Sequence, residues 1–368
     1  MTLSADALHR YSRHILLEEV GEKGVARLAA SSVAIVGAGG LGCPILLYLA
    51  AAGVGRLGIF DGDAVEVSNL QRQVAHGTSS VGVNKARSAA ARVADLNPLV
   101  KVDVHDVALV AGNALERLAP YDIIVDGTDN FPTRYLANDA AVLLGKPYVY
   151  GSVYRFEGQV SVFNFEGGPN YRDLFPQPPP PGMVPTCGEA GVLGVVPGLV
   201  GTLMATETLK ILLGLGTTLS GRLLLFDALD TRFRELKLRK DPAGEPIVRL
   251  VDYDQFCGIR PAAGIVVSPR DIVARRLSGW APYVLDVRRP SEAEMAPLSF
   301  ADRVLPHDQV AAAIGSVPRD RDVLVFCRSG VRSALAAGVL RDGGFPAVWE
   351  MEGGILAWAR DVDGSLRV

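Results

Sequence analysis

"GAGGLGCPILLYLAAAGVGRLGIFDGD", residues 37–63, follows the apolar run Val33–Val36 and decides how the first half of the chain is read. Gly37, Gly39 and Gly42 satisfy G-x-G-x-x-G directly after a strand-like segment, and Asp61 closes the next β-like run, "RLGIFD". A strand, a glycine turn, an Ala/Leu-rich helix and a second strand ending in an acid make the first βαβ unit of a nucleotide-binding sheet. By spacing alone NAD is the expected ligand. The physics asks for less, because free N–H groups at a helix N-terminus hold any phosphate and an acid at that strand end holds any ribose. The loop specifies a nucleotide and leaves its identity open.

Outward from this stretch, short β-branched runs ("SVAIVG", "VKVDVHD", "DIIVDGT") alternate with Ala-rich ones such as "KARSAAARVADL" to about Pro147. That alternation predicts an α/β fold with a mostly parallel sheet. "GQVSVFNF" (158–165) alternates with period two and predicts a half-buried antiparallel strand. The prolines of "FPQPPPPGM" (175–183) predict an exposed loop. "GVVPGLVGTLMATETLKILLGL" (194–215) predicts a helix packed on the sheet and stopped at Gly214, and "GRLLLFDALDTRFRELKLR" two strands joined by a turn. From Lys240 to about Ser268 periodicity fades, as in a linker. A second, smaller α/β unit follows, with strands in "YVLDVR" and "DVLVFCRSG" and a helix in "VRSALAAGVLRDGG". The expected organisation is a first domain over 1–245, a linker over 246–267 and a second domain over 268–368.

A length of 368 residues suits two domains, and a formal charge of −3 gives no reason to expect nucleic acid or an anionic membrane as partner. No run reaches the ~18–20 apolar residues of a membrane span, and "MTLSADALHRYSRHILLEEV" has no signal-peptide core, so a cytoplasmic location is expected. The four cysteines, Cys43, Cys187, Cys257 and Cys327, form no C-x-x-C pair, which argues against disulfides and zinc. Cys43, in the helix after the glycine loop, is expected in the core, and Cys257 is expected to be a spectator.

The residues after Asp61 favour a triphosphate over a nicotinamide. "DGDAVEVSNLQRQ" (61–73) gathers Asn69, Gln71, Arg72 and Gln73 beyond the ribose position, and Lys85 follows in "GVNKARS". Cleaving a triphosphate needs cations to neutralise developing charge, whereas hydride transfer has no evident need of a second Arg/Lys cluster. Asp126, Asp129 and Asn130 in "DGTDN" end the fourth strand-like run, where parallel sheets bind ligands. Asp129 could hold Mg²⁺ on the phosphates; taken alone, Asp-Asn after a strand is more often a loop-capping pair. In "VFCRSGVRS" (325–333), Cys327 lies between a strand and a helix, with Arg328 and Arg332 on either side. Loop amides, a helix N-terminus and two cations are expected to stabilise a thiolate or persulfide there.

The strings "GAGGLGCP", "DGDAVEVSNLQRQ", "DGTDN", "FEGQVSVF" and "TCGEAGVLG" resemble those of the ThiF/MoeB adenylyltransferases, the ubiquitin-activating-enzyme-like proteins that charge sulfur carriers, over about Leu8 to Arg239. The resemblance implies a Rossmann-like adenylation domain with an ATP site made of Gly40, Asp61, Ser68, Asn69, Leu70, Gln71, Arg72, Lys85, Asp129 and Asn130. It implies a homodimer in which Arg13 reaches the nucleotide of the other subunit. It further implies adenylation of a carrier protein's C-terminal Gly-Gly carboxylate, with Arg72, Lys85 and Mg²⁺ on the leaving pyrophosphate. Cys187 in "PTCGEAGVLG" matches the family's crossover-loop cysteine, which can form a covalent link with carrier or sulfur donor. The chain departs from the family where many members carry two zinc-binding C-x-x-C pairs: "PNYRDLFP" has Asn170 and Asp173 instead, and "RKDPAGEP" lacks the second pair. Structural zinc is therefore not expected, and local packing or ion pairs must replace it.

"CRSGVR", with "YVLDVR" before it and "GGILAW" after it, resembles the rhodanese sulfurtransferases over about Ser268 to Val368. This implies that Cys327 carries a persulfide cradled by the loop Arg328, Ser329, Gly330, Val331 and Arg332, and that Asp286 and Arg288 are structural. "MAPLSFADRVLPHDQV" matches the family's donor-facing segment poorly. The two resemblances imply an adenylyltransferase/sulfurtransferase in which the Cys327 persulfide attacks the acyl adenylate and Cys187 resolves the acyl disulfide to release a thiocarboxylate. Sulfur would come from a cysteine desulfurase or thiosulfate. The alternatives are an adenylyltransferase with a regulatory rhodanese domain, a non-catalytic carrier-binding scaffold, and a dehydrogenase.

Overall fold

A computed structural model describes residues 3–179, 190–258, 265–345 and 347–368. The described chain divides into two compact units, the first comprising residues up to Pro178 and then from 190 to Tyr253, the second Pro179 and the residues from Asp254 on. The first is built on an eight-stranded sheet: β1 (Ser32–Val36), β2 (Arg56–Phe60), β3 (Lys101–His105), β4 (Ile123–Asp126), β5 (Tyr148–Tyr154), β6 (Glu157–Phe163), β7 (Arg222–Asp227) and β8 (Arg232–Lys237), in the order β3-β2-β1-β4-β5-β6-β7-β8. The pairings from β3 to β5 are parallel and those from β5 to β8 antiparallel. The chain runs β1-β2-β3 towards one edge and then returns to place β4 on the other side of β1. That reversal opens a crevice at the carboxyl ends of β1 and β4. Register lines up the exits: Val36 stands opposite Phe60 and Asp126, and Phe60 opposite His105. The loops starting at Gly37, Asp61 and Gly127 therefore emerge side by side.

The glycine spacing serves this crossing. Gly37 has φ +94°, and a Cβ on it would lie 2.8 Å from the Gly127 carbonyl oxygen; a Cβ on Gly42 would lie 2.0 Å from that of Gly37. A side chain at Gly37 would force the β1 turn away from the end of β4, and one at Gly42 would force the following helix away from the β1 turn.

The predicted helix is Val195–Leu213, stopped by a left-handed Gly214. It is long and apolar enough to cross a membrane by length and composition. Val196, Val200, Met204 and Leu212 join the main core beside β5, β6 and helix Gly42–Ala52, which accounts for that apolarity by packing. β6 differs from the half-buried expectation: Val160 to Phe163 are buried in succession. Val160 and Val162 pack in the main core, whereas Phe163 joins a ring cluster with Tyr148, Tyr150 and Tyr171, so both faces of the strand are covered. Its partner β5 is a strand that the sequence reading did not single out.

The second unit has a five-stranded parallel sheet of β9 (Ile265–Val267), β10 (Tyr283–Asp286), β11 (Arg303–Val304), β12 (Val323–Phe326) and β13 (Val348–Met351), in the order β11-β10-β12-β13-β9. In β12, Val323 and Val325 enter one core while Leu324 and Phe326 enter the other. A strand covered on both faces reads as an unbroken apolar run. β9 lies inside the stretch read as linker; three residues are too few to show a period, and it is pairing with β13 that makes them a strand.

Candidate functional site

The crevice at the switch point is lined by Gly37, Gly39, Gly40, Asp61, Asn69, Arg72, Gln73, Lys85, Asp129 and Asn130, with Val107, Ala108 and Leu109 as an apolar wall. Three chain segments are braced against one another here. Asp61 receives the Ala38 N–H at 2.8 Å on one oxygen and the Asp63 N–H at 2.9 Å on the other, so it fastens the glycine loop as well as facing the pocket. Burial pushes its carboxyl above the usual range, against those two amides and Lys85. Asn69 closes a capping box with Glu66, and Arg72 donates to the Ser68 carbonyl at 3.1 Å. Lys85, 8% exposed, begins helix Lys85–Leu96 and pairs with Asp63 at 2.9 Å. Asn84 caps that helix by accepting from the Arg87 N–H while donating to the carbonyls of Asp61 and Asp63. Gln73 is 4% exposed, and its Oε1 has no partner among the described residues.

The opposite wall rests on a buried ion pair. Asp126 and Arg134 meet at 3.3 Å, Tyr148 donates to Asp126 at 2.6 Å, and Arg134 donates to the Thr128 carbonyl at 3.0 Å. Asp126 is thereby consumed beneath the loop. Asp129 remains an exposed carboxylate at the pocket with no ion pair among the described residues, whereas the exposed Asp63 is paired with Lys85. Asn130 caps helix Phe131–Leu144 by accepting from the Thr133 N–H, so it takes the capping role while still lining the pocket. Among the described residues no three His, Cys, Asp or Glu side chains group to hold a metal. The single carboxylate of Asp129 fits Mg²⁺, which takes one or two carboxylates and keeps most of its waters or phosphate oxygens.

In the second unit Cys327 directly follows β12 and is 1% exposed. The Gly330 N–H points at its sulfur at 3.2 Å and the Ser333 hydroxyl at 3.6 Å. Gly330, with φ +101°, turns the loop into helix Val331–Asp342, whose N-terminus faces the sulfur side. Gly354, with φ +59°, lets the last helix approach the loop, and the amides of Ile355 and Leu356 donate to the carbonyls of Cys327 and Arg328. Asp286 and Arg288, buried together, form a multiply bonded pair beside Phe326. Arg332 corrects the electrostatic expectation: Glu292 takes its guanidinium through two bonds of 2.7 Å, so its charge is balanced. Arg328 is exposed. Among the described residues, the Gly330 N–H and the Ser333 hydroxyl are the polar groups that meet the sulfur.

Residues 11–246 match the ThiF family. The chain belongs to the ThiF family. Residues 270–361 match the rhodanese-like domain. This ThiF-family chain is 47% identical to the probable adenylyltransferase/sulfurtransferase MoeZ of Mycobacterium tuberculosis over 98% of its own length and 95% of that protein. It is 56% identical to a sulfur carrier protein adenylyltransferase of Thermus thermophilus, with 71% of this chain and 100% of that one covered. The adenylyltransferase and sulfurtransferase MOCS3 of Mus musculus is 42% identical, with 99% and 87% covered. A crystal structure of Escherichia coli MccB shares the fold at 19% identity, with a TM-score of 0.58 and 66% and 74% covered.

Of the ATP-site residues expected for a ThiF-family member, the pocket gathers Gly40, Asp61, Asn69, Arg72, Lys85, Asp129 and Asn130. Ser68, Leu70 and Gln71 are not part of its lining: Ser68 bonds Glu66, and Gln71 is exposed. Arg13, exposed on helix Ser12–Ile15, is likewise outside this chain's own pocket. Cys187 lies outside the described residues. Cys43 is in the core, where burial pushes its thiol up to about 12, and Cys257 is buried. Sequence reasoning missed Arg134 and Glu292, and it took in Gly354 only within "GGILAW", without giving it a role. Glu292 and Gly354 act through partners distant in the chain, whereas Arg134 reaches Asp126 across the turn between β4 and the next helix. Where the resemblance places zinc cysteines, Asn170 and Asp173 form a capping box on helix Tyr171–Leu174, and Asp173 also accepts from the Asp241 N–H at 2.9 Å. A hydrogen-bonded clasp thus joins the two regions.

Proposed function

We propose that this ThiF-family enzyme adenylates the C-terminal Gly-Gly carboxylate of a ubiquitin-like sulfur-carrier protein and then transfers sulfur to it from Cys327. The observation that carries the reading is the presence in one chain of a nucleotide crevice with Arg72, Lys85 and Asp129 on its walls and a cysteine that receives the Gly330 amide and the Ser333 hydroxyl. ATP phosphates fit the glycine-loop amides, with Arg72 and Lys85 neutralising charge on the departing pyrophosphate. Mg²⁺, held by Asp129, would add to that neutralisation. The carrier carboxylate attacks the α-phosphate, the bond to the pyrophosphate breaks, and an acyl adenylate results.

The Cys327 persulfide, loaded by a cysteine desulfurase or thiosulfate, attacks the acyl carbon and expels AMP, leaving an acyl disulfide. Cys187 attacks the Cys327 sulfur and releases the thiocarboxylate; a thiol reductant then reopens the resulting Cys187–Cys327 disulfide. A homodimer with Arg13 reaching across, and a cytoplasmic location, complete the proposal. Intact-mass spectrometry of a Gly-Gly-ending carrier incubated with the protein, ATP, Mg²⁺ and thiosulfate tests it. The expected gain is the mass difference between sulfur and oxygen. An unchanged carrier mass alongside carrier-dependent pyrophosphate exchange would leave adenylation standing and refute the sulfur route for that donor. Absence of both would refute the whole reading.

A further inference from the structure

Ala38, in the middle of the glycine loop, has both polar atoms of its backbone taken by side chains from distant segments. Its N–H goes to Asp61, and its carbonyl receives Nε2 of His76 at 2.9 Å. The other ring nitrogen, Nδ1, meets the Ser88 hydroxyl at 2.9 Å. Ala38 is fully buried and His76 is 8% exposed, so water does not compete for these bonds.

The proton positions follow from the partners. A carbonyl has no hydrogen to give, so Nε2 must carry one. Burial holds the ring below the usual histidine range, opposed by the bond to Ala38. In the neutral ring Nδ1 is then the acceptor, and Ser88 donates to it. The imidazole is oriented at both ends.

Three parts of the pocket meet at this ring. The glycine loop meets it through Ala38, which precedes the pocket-lining Gly39 and Gly40. The Asn69–Gln73 segment leads directly into His76. Helix Lys85–Leu96 meets it through Ser88, one turn beyond Lys85 and on the same side of the helix. Glycines leave a loop many conformations, and a loop that must select one at binding loses affinity by that fraction.

We infer that His76 is a positioning residue for the nucleotide. By holding the Ala38 carbonyl it presets the amides of Gly39 and Gly40 and keeps Arg72 and Lys85 in register with them. The inference rests on reading the crevice as an ATP site.

The test compares the full-length wild type with His76→Leu, His76→Gln and Ser88→Ala, by ATP titration calorimetry and by carrier-dependent ATP–pyrophosphate exchange. His76→Leu removes the ring donor and leaves the Ala38 carbonyl the weaker Cys43 thiol at 3.5 Å, and His76→Gln restores an amide N–H at similar reach. Loss of one preset contact is expected to weaken ATP binding and raise its KM about tenfold, with kcat changed less. His76→Gln should return most of that loss, and Ser88→Ala should fall between. Thiosulfate sulfurtransferase activity should stay at the wild-type level in every variant.

A folded His76→Leu protein with wild-type ATP affinity would overturn the inference. So would His76→Gln being as impaired as His76→Leu, because the ring would then act by packing alone. If the wild type binds ATP without exchanging pyrophosphate, the adenylation reading falls while the binding comparison still decides the role of His76. A wild type that does not bind ATP overturns both.

Discussion

At the scale of single residues, the sulfur loop depends on partners that its own string does not contain. A Cβ on Gly354 would lie 2.5 Å from the Cys327 carbonyl oxygen and 2.7 Å from the Arg328 carbonyl carbon, in a backbone conformation that side chains avoid. Gly354→Ala is expected to destabilise the second unit by about 1–3 kcal/mol and to slow sulfur transfer, with pyrophosphate exchange unchanged. Tryptophan fluorescence during denaturation reads this directly, since all three tryptophans, Trp280, Trp349 and Trp358, lie in that unit. Glu292 carries a pH dependence of known sign. Its bond to Arg332, first among the causes, pulls its carboxyl from the ordinary 4.5 down to about 2. A lowered folded-state value stabilises the fold in full above about pH 4.5, and the contribution is lost as pH falls towards about 2. Melting temperatures of the second unit should fall across that window in the wild type, and Glu292→Gln should flatten the profile. The cysteine and its loop are legible in "CRSGVR" because the turn is local. Glu292 is not, because it stands on the separate helix Pro290–Met295, well before Cys327 in the chain and in no shared motif.

At the scale of elements, the ends of strands and helices deliver the chemistry. Helix Lys85–Leu96 places Lys85 in its first turn, and Asn84 both caps that turn and ties it to the Asp61–Asp63 loop. Asn84→Ala is expected to cost about 1 kcal/mol of stability through the lost cap and to raise the KM for ATP. Urea denaturation together with pyrophosphate exchange at varied ATP measures both, and an unchanged KM would show that Lys85 is held without the cap. The end of β4 depends on Arg134 in the same way. Arg134→Ala would leave the Asp126 carboxylate buried without its partner, with an expected loss of about 3–5 kcal/mol. Asp126→Asn in that background should recover part of it, as thermal melts would report. The "DGTDN" string located this strand end, but it did not separate the buried Asp126 from the exposed Asp129, since burial depends on what packs beneath the loop.

At the scale of the whole molecule, two units with separate cores predict separable chemistry. Cys327→Ala is expected to abolish thiocarboxylate formation while leaving carrier-dependent pyrophosphate exchange within about twofold of wild type, as a substitution outside the first unit's core should. Loss of exchange in that variant would overturn the division of labour. Legible in the sequence by itself were the α/β class, the glycine loop, Asp61 at its strand end, Arg72 and Lys85 as nearby cations, and Cys327 in its turn between strand and helix. Those signals are local: strand periodicity, a glycine turn and a short motif each depend on residues adjacent in the chain. Only the tertiary structure decided that Asp61 also fastens the glycine loop, that Asp126 is consumed by Arg134, that Glu292 balances Arg332, and that Asp173 reaches Asp241 where cysteines would otherwise stand. Each of these depends on burial and on a partner brought close by folding, across one turn for Asp126 and Arg134 and from distant segments for the others, and neither is encoded in the residue types along one stretch.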